Sequence, residues 1–150
     1  MFSLGPKSME RLKGVDPLLV AVVRRAIQIT KVDFVVVEGL RTREQAIINY
    51  RKGRTAAELK AAGIKDGPLP GPKVTWTLKS KHIEGRAVDL APWVDGKIDW
   101  SDLSKFDIIY HAMMQAAAEN KVRLRYGGDW DMDGRLRERG EADSPHFELA

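Results

Sequence analysis

The chain has 150 residues, 43% of them hydrophobic and 31% charged, which is typical of one soluble domain with a hydrophobic core and excludes a disordered chain. It contains no cysteine, so disulfides and thiolate metal sites are excluded and any bound metal must use His, Asp or Glu. The net charge of +4 favours an anionic partner or reflects a solubilising surface. Aromatic residues do not interleave with the basic ones, so we expect no nucleic-acid partner.

The first predicted helix begins at Asp16-Pro17, where a capping side chain precedes a proline at the first helical position. Apolar residues recur at helical spacing over residues 18–29, so this helix is expected to pack against the core. A β-branched run within residues 33–38 predicts a buried strand. A second helix is predicted at residues 42–51.

A long connection rich in Gly, Pro and Lys occupies residues 53–79. A loop of this length in a small domain is usually functional or mobile. A short helix is expected within it at residues 56–62. Residues 85–91 alternate in polarity and predict a strand that carries Asp89.

The second half of the chain mixes helices and strands. A long helix is predicted at residues 101–120, followed by a strand at 122–126, a Gly-Gly turn at 127–128 and a last strand at 146–149. The sequence shows no internal repeat and no domain boundary. We therefore expect residues 1–150 to form a single domain.

The N-terminus has no uninterrupted apolar segment after basic residues, so no signal peptide is predicted. The longest apolar stretches are interrupted by charge well short of a bilayer span. We expect a protein that is made in the cytoplasm, does not insert stably into a membrane and needs help to act elsewhere.

Two segments carry the chemistry. Residues 80–89 read Ser-Lys-His-Ile-Glu-Gly-Arg-Ala-Val-Asp, and residues 145–148 read Pro-His-Phe-Glu. They set His82 and Asp89 on either side of a predicted turn and supply His146 from a distant element. Two imidazoles and one carboxylate are a common protein contribution to a catalytic zinc, with a fourth position open for water. The spacing of the first pair is weak evidence by itself, because most histidines are structural.

Three ordered motifs resemble the VanY-like zinc metallopeptidases, which comprise D-alanyl-D-alanine carboxypeptidases and L-alanyl-D-glutamate endopeptidases of bacteria and phage. Ser-x-His-x-x-Gly-x-Ala-x-Asp at residues 80–89 resembles their first zinc motif, and Asp-x-x-His at residues 143–146 resembles the second. Glu-Gly-Leu-Arg-Thr at residues 38–42, with Gln45 after it, resembles the arginine-bearing segment of the family. The resemblance covers nearly the whole chain.

The resemblance implies an α+β fold, with a central antiparallel sheet, flanking helices and a zinc site in a surface groove. It implies His82, Asp89 and His146 as the zinc ligands. His111, the remaining histidine, is expected on the exposed side of its helix and outside the site.

The resemblance also implies a general base three residues before the last histidine, at Asp143. Many members of the wider family carry glutamate at this position. The endopeptidase branch resembles this chain in carrying aspartate there, so Asp143 favours that branch. Glu141 and Glu148 are nearby competitors for the role. Glu148 is alternatively a support for a zinc ligand or a surface residue.

Arg41 and Gln45 share a helix face if the helix begins that early. We expect Arg41 to stabilise an oxyanion or grip a substrate carboxylate, and the alternative is a surface salt bridge. Ser80, Gln45 and Trp130 are expected to bind substrate. Trp76 and Trp130 are expected to line the groove or else to be buried in the core.

The segment Asp129-x-Asp131-x-Asp133-Gly matches the start of a calcium-binding loop. Position twelve of such a loop would be Gly140, and the acidic Glu141 comes one residue late. Calcium is therefore the weaker alternative to a Gly-Asp-Trp segment that shapes the groove, as the resemblance implies.

These features predict a zinc-dependent peptidoglycan peptidase, an endolysin of phage type that hydrolyses a stem-peptide bond, with L-alanyl-D-glutamate preferred. We expect a monomer without a separate wall-binding domain that acts on the cell wall after release from the host cytoplasm. A D-alanyl-D-alanine carboxypeptidase or dipeptidase would use the same residues. A non-catalytic zinc-binding module for wall or protein ligands is an alternative of another class, but it would not need Asp143 or Arg41.

Overall fold

The computed structural model describes residues 1–75, 77–78, 80–138 and 140–150. Within these residues the chain forms five helices and five strands. The helices are α1 (Pro6–Arg11), α2 (Pro17–Ile29), α3 (Arg43–Arg51), α4 (Ala56–Ala61) and α5 (Leu103–Glu119). The strands are β1 (Phe34–Glu38), β2 (Ala87–Val94), β3 (Lys97–Ile98), β4 (Leu124–Tyr126) and β5 (His146–Leu149).

The strands form an antiparallel sheet in the order β1-β2-β5-β4, and β3 pairs with β2. The register places Asp89 of β2 opposite Glu38 of β1 on one side and opposite His146 of β5 on the other. Because directly paired residues project from the same face of a sheet, the register alone brings these three side chains together. The expected α+β fold with a central antiparallel sheet is confirmed.

The core lies on the other face of the sheet, under α2 and α5. Val88, Leu90 and Phe147 belong to this core, whereas their neighbours Asp89 and His146 alternate to the opposite face. The packing expected for residues 18–29 is confirmed for most of the apolar face, because the following residues of α2 are fully buried: Leu19, Val22, Val23 and Ala26. Leu18, expected on the same face, is exposed instead. The sheet thus separates the core from the candidate site.

The sequence pattern predicts neither α1 nor β3. The six-residue α1 is held by docking on β1, because the backbone N–H of Val36 donates to Ser8 Oγ at 3.0 Å and Arg11 donates to the Val36 carbonyl oxygen at 2.9 Å. The two residues of β3 follow a tight turn in which Asp95 and Gly96 both have positive φ, as a two-residue hairpin requires. Both elements depend on contacts rather than on hydrophobic periodicity.

Element boundaries elsewhere differ from the expectations by a few residues. Strand β2 begins at Ala87 and extends to Val94, beyond the predicted 85–91. Helix α5 begins at Leu103 because the side chain of Asp102 accepts a hydrogen bond from the backbone N–H of Ser104 and caps it. No helix within the described ranges is both long and apolar enough to cross a bilayer.

Candidate metal centre

A groove of about 630 Å³ opens on the sheet face that carries Asp89. Its volume is in the range of sites that hold small ligands. The three expected zinc ligands line it, and five further residues for which the sequence suggests a role line it as well: Arg41, Ser80, Trp130, Asp143 and Glu148.

His82, Asp89 and His146 converge at the floor of this groove. His82 Nε2 and His146 Nδ1 each lie 3.2 Å from the same carboxylate oxygen, Asp89 Oδ1. One ligand atom from each of the three residues lies within 4.8 Å of the others, which is close enough for one metal ion to contact all three. Both histidines are buried, and Asp89 is half-buried.

Each imidazole is oriented by a partner behind it. His82 Nδ1 lies 2.9 Å from the carbonyl oxygen of Gly39, which can only accept, so Nδ1 carries the proton. His146 Nε2 lies 2.8 Å from Glu148 Oε1, a carboxylate that accepts in the same way. In both rings the nitrogen that faces Asp89 is therefore the unprotonated one when the imidazole is neutral.

Three acceptor atoms thus face one another: two ring nitrogens and a carboxylate oxygen. Acceptors at 3.2 Å with no hydrogen between them repel, so the cluster requires either added protons or a cation. Two neutral imidazoles and one carboxylate, each fixed by its surroundings, are a donor set that suits zinc. The residues present therefore fit a zinc ion.

The electrostatics of the cluster without a metal follow from this crowding. Burial disfavours the charge on Asp89, but hydrogen bonds from His146 and His82 outweigh burial and hold the pKa of Asp89 well below its usual range. Burial lowers the pKa of His146, yet its bonds to Asp89 and Glu148 prevail and raise that pKa above the ordinary value. Protons and a metal ion would therefore compete for His146.

Glu148 is the buried support of His146 rather than a surface residue. Besides His146, it contacts Lys81 Nζ at 3.2 Å and Arg125 Nη1 at 3.4 Å. Its carboxylate faces the groove side of β5, directly opposite Ala87 of β2. The alternation of β5 could have indicated this placement, because residues two apart on a strand share a face.

Gly39 supports His82 through its backbone alone, so no residue type signals its role. The carbonyl oxygen of Gly39 accepts the His82 hydrogen bond, and a Cβ at this position would lie 1.9 Å from the carbonyl oxygen of Arg11. Only glycine can hold this carbonyl in place without moving α1. The backbone N–H of Arg41 also donates to the carbonyl oxygen of His82 at 2.9 Å.

Arg41 lies in the groove and also forms the salt bridge that the sequence leaves open as its alternative. Its Nε donates to Glu38 Oε1 at 2.6 Å and its Nη2 to Glu38 Oε2 at 3.0 Å. The hydrogen bond with Glu38 is the largest reason why the pKa of Arg41 is raised. Only 14% of the Arg41 side chain is exposed, and its Nη1 has no hydrogen-bond partner in the described part of the chain.

Asp143 lies at the start of a turn that leads into β5. Its backbone N–H donates to the carbonyl oxygen of Gly127 at 3.1 Å, and its own carbonyl oxygen accepts from the backbone N–H of His146 at 3.1 Å. A Cβ on Gly127 would lie 2.0 Å from that carbonyl oxygen, so this contact requires glycine. Loss of solvent around the carboxylate, reinforced by the charge of Asp89, raises the pKa of Asp143 although His146 opposes the shift.

Of the other residues that the sequence singles out, some line the groove and others do not. Ser80 lines the groove, and its Oγ accepts a hydrogen bond from the backbone N–H of His82. Trp130 lines the groove with its ring 5.4 Å from that of His146. Gln45 is exposed and donates to Asn49, which itself lines the groove. Trp76 lies outside the described residues, and His111 is exposed on α5, away from the cluster.

The acidic segment forms a second cluster beside the groove. Asp129, Asp131 and Glu141 place carboxylate oxygens within 4.8 Å of one another, and Asp133 groups with Asp131 and Glu138. Glu141 joins the cluster although it comes one residue later than a twelve-residue calcium loop requires. It is buried, its Oε2 accepts from the backbone N–H of Asp131, and its Oε1 has no partner within the described chain.

Comparison with known proteins adds to this geometry. A family model described as phage L-alanyl-D-glutamate peptidase matches residues 1–150. The L-alanyl-D-glutamate peptidase of Escherichia phage T5 is 37% identical over 151 residues, which cover 99% of this chain and 98% of that protein.

Solved structures include similar proteins. The crystal structure of the L-Ala D-Glu endopeptidase ChiX of Serratia marcescens matches with a TM-score of 0.67 and 30% identity over 97% of this chain and 87% of that one. The vancomycin resistance D,D-pentapeptidase VanY, solved as a mutant in complex with Zn(II), matches at 16% identity with a TM-score of 0.46, over 90% of this chain and 72% of that one.

Proposed function

The chain belongs to the phage L-alanyl-D-glutamate peptidase family, and from this premise we propose that it is a zinc-dependent enzyme that cleaves the amide bond between L-alanine and D-glutamate in peptidoglycan stem peptides. It is a peptidoglycan peptidase by family. The observation that carries the zinc proposal is the convergence of His82 Nε2, His146 Nδ1 and Asp89 Oδ1 at the floor of the groove.

His82, Asp89 and His146 would hold the zinc ion. Bound there, zinc would act as a Lewis acid on the scissile carbonyl and lower the pKa of a water molecule. Gly39 and Glu148 keep the two imidazoles turned towards the ion, and this fixed orientation supports binding.

Asp143 is the proposed general base. It would accept a proton from the attacking water and return it to the leaving amine of D-glutamate. Its place in the groove, three residues before His146, and its raised pKa support this role, because a carboxylate with a raised pKa is a better proton acceptor. Glu148, the competitor, is engaged with His146 and Lys81.

Arg41 is the proposed stabiliser of charge on the substrate. Glu38 occupies the Nε–Nη2 edge of the guanidinium, which leaves Nη1 available to donate to the carbonyl oxygen as it becomes negative, or to a substrate carboxylate. Ser80 and Trp130 would contact the substrate from the groove walls, and Gln45 would act only through Asn49.

We propose further that residues 1–150 form one catalytic domain that acts on the cell wall as a monomer. A D-alanyl-D-alanine carboxypeptidase with the same residues remains the nearest alternative, and a non-catalytic zinc module is the alternative of another class. Incubation with purified muropeptides, followed by mass spectrometry of the fragments, tests these options. Fragments that begin with D-glutamate support the proposal, release of D-alanine alone supports a carboxypeptidase, and zinc binding without any cleavage supports the module.

A separate hypothesis is that the acidic segment around Asp129 binds calcium as a second cation. The unpartnered, buried Oε1 of Glu141 beside Asp129 and Asp131 supports it, since a hard cation would satisfy these oxygens. Addition of calcium to the zinc-loaded protein should raise its melting temperature, and Glu141→Gln should remove that increase. An unchanged melting temperature in millimolar calcium would reject the site.

A further inference from the structure

Charge is distributed unevenly between two segments that both line the groove. Residues 41–81 contain ten basic and three acidic residues, a net charge of +7, whereas the whole chain carries +4, so the residues outside this segment carry −3. Residues 129–148 contain seven acidic and three basic residues, a net charge of −4. We name residues 41–81 the basic wall and residues 129–148 the acidic wall.

Both walls contribute side chains to the groove. Asn49, Thr75 and Lys81 line it from the basic wall, and Trp130 and Asp143 line it from the acidic wall. The groove therefore lies between two segments of opposite net charge. Clefts with charged walls focus such fields and act on charged parts of a ligand before contact is made.

Close to the metal centre, the cations of the basic wall are neutralised. Arg41 is paired with Glu38, and Lys81 is paired with Glu148. Farther out, five cations have no carboxylate partner among the residues that the structure describes: Arg43, Arg51, Lys52, Lys60 and Lys65.

Two of these uncompensated cations lie close to groove residues. Arg43 donates to the carbonyl oxygen of Leu78, next to Thr77, which lines the groove. Lys52 is the C-cap of α3, and its backbone N–H donates to the carbonyl oxygen of the groove residue Asn49 at 3.4 Å. These contacts place both residues beside the edge of the groove.

The substrate of the proposed function is itself asymmetric in charge. D-glutamate has two carboxyl groups, and only one of them is needed to continue a linear stem peptide. At least one free carboxylate therefore lies within a few bonds of the scissile nitrogen, on the leaving-group side. The L-alanine side chain is a methyl group and carries no charge.

We infer that the basic wall receives the D-glutamate side of the stem peptide, and that the charge difference between the walls sets the direction in which the substrate lies in the groove. The reverse direction would bring the carboxylate to the acidic wall, whose net charge of −4 opposes it. The inference rests on the proposed function. It adds that the enzyme recognises the free carboxylate of D-glutamate.

Two double variants that remove equal charge test the inference. Arg43→Gln with Lys52→Gln lowers the net charge of the basic wall from +7 to +5. Arg24→Gln with Lys31→Gln removes two exposed cations, one in α2 and one just after its end, that do not line the groove. Each double variant is assayed on two synthetic stem peptides that contain no phosphate. One peptide has a free D-glutamate carboxylate, and in the other this carboxylate is converted to an amide. Calorimetry measures binding of both peptides in parallel, so that the preference is measured even if no bond is cut.

The basic-wall variant, Arg43→Gln with Lys52→Gln, should have a KM and a Kd for the carboxylate peptide that are about three- to tenfold higher than those of the wild type at low salt. This difference should disappear near 0.5 M salt, where surface charges are screened. The amide peptide and the control variant should show little change. An equal loss with the amide peptide or with the control variant would overturn the inference. The variants are also assayed on intact bacterial cell walls that carry phosphate polymers. A loss of activity seen only with these cell walls would overturn the inference as well, because it would identify the polymers as the partner of the basic residues. Wild-type binding without cleavage would reject the proposed function separately.

Discussion

Glu148 accepts a hydrogen bond from Nε2 of His146 at 2.8 Å, and this bond leaves Nδ1 of the same ring facing Asp89. The two residues are two apart on β5 and project from the same face of the sheet. The strand therefore supplies a proposed metal ligand together with the group that orients it. The same relationship recurs at His82 with a backbone carbonyl, that of Gly39, in place of the carboxylate.

Removal of the Glu148 carboxylate should weaken metal binding without removing a ligand. Glu148→Ala frees the His146 ring and is expected to lower zinc affinity about 10- to 100-fold, as loss of such supporting groups usually does. Glu148→Gln retains an oxygen that can accept from Nε2 and should lose less. Competition with a chelating dye measures both, and equal affinity of Glu148→Ala and the wild type would show that the bond does not position the ligand.

Asp143→Asn should separate chemistry from metal binding. The amide cannot take a proton from water, so turnover should fall about 10²- to 10⁴-fold, while zinc affinity should stay within about twofold of the wild type. Steady-state assays on a stem peptide and the dye competition give the two numbers. Normal turnover in this variant would show that Asp143 is not the base.

Metal binding should depend on pH through His146. The pKa of His146 in the metal-free protein is raised. Protonation of His146 therefore stabilises the fold, and this contribution is complete below the ordinary histidine pKa of about 6.5. The contribution is lost as pH rises through the raised pKa. Zinc needs the unprotonated Nδ1, so its affinity should fall by up to about tenfold per pH unit below that raised pKa. Titrations between about pH 5.5 and 8 measure the slope. An affinity that does not change over this interval would contradict the contacts of His146 with Asp89 and Glu148.

Gly127→Ala should disturb the turn that carries Asp143. The added Cβ would lie 2.0 Å from the Asp143 carbonyl oxygen, so the turn must move, at a cost of about 1–3 kcal/mol in the free energy of unfolding. Turnover should fall with it. Gly67→Ala is the matched control, because no atom lies within 4 Å of a Cβ there and its φ is not positive. Similar denaturation midpoints and turnover for the two variants would remove the argument that Gly127 positions Asp143.

Arg41 should depend on Glu38 for its effect on catalysis. Glu38→Gln keeps one acceptor but loses the charged bidentate contact, and we expect kcat to fall about tenfold with zinc affinity unchanged. Arg41→Lys keeps the charge without the planar fork and should fall at least as far. If kcat is normal in both variants, the pair is a structural salt bridge, and the alternative that the sequence leaves open is correct.

The sequence predicts which side chains converge better than it predicts the groups that orient them. Periodicity identifies α2 because its buried face recurs at helical spacing, and the motif resemblance identifies Asp89 and His146 before the register pairs them. Gly39 and Gly127 act through backbone atoms, so their neighbours in space, Arg11 and Asp143, cannot be predicted from residue type. The register that places Glu38 beside Asp89 also includes a bulge, which hydrophobic alternation does not reveal.

The central claim is that His82, Asp89 and His146 hold a zinc ion on which peptide cleavage depends. The most direct measurement is the metal content of the purified protein, determined together with its turnover on an L-alanyl-D-glutamate stem peptide. We predict about one zinc per chain, loss of turnover on chelation, recovery with added zinc, and neither zinc nor turnover in His82→Ala. Full turnover by the chelated, metal-free protein would contradict the account.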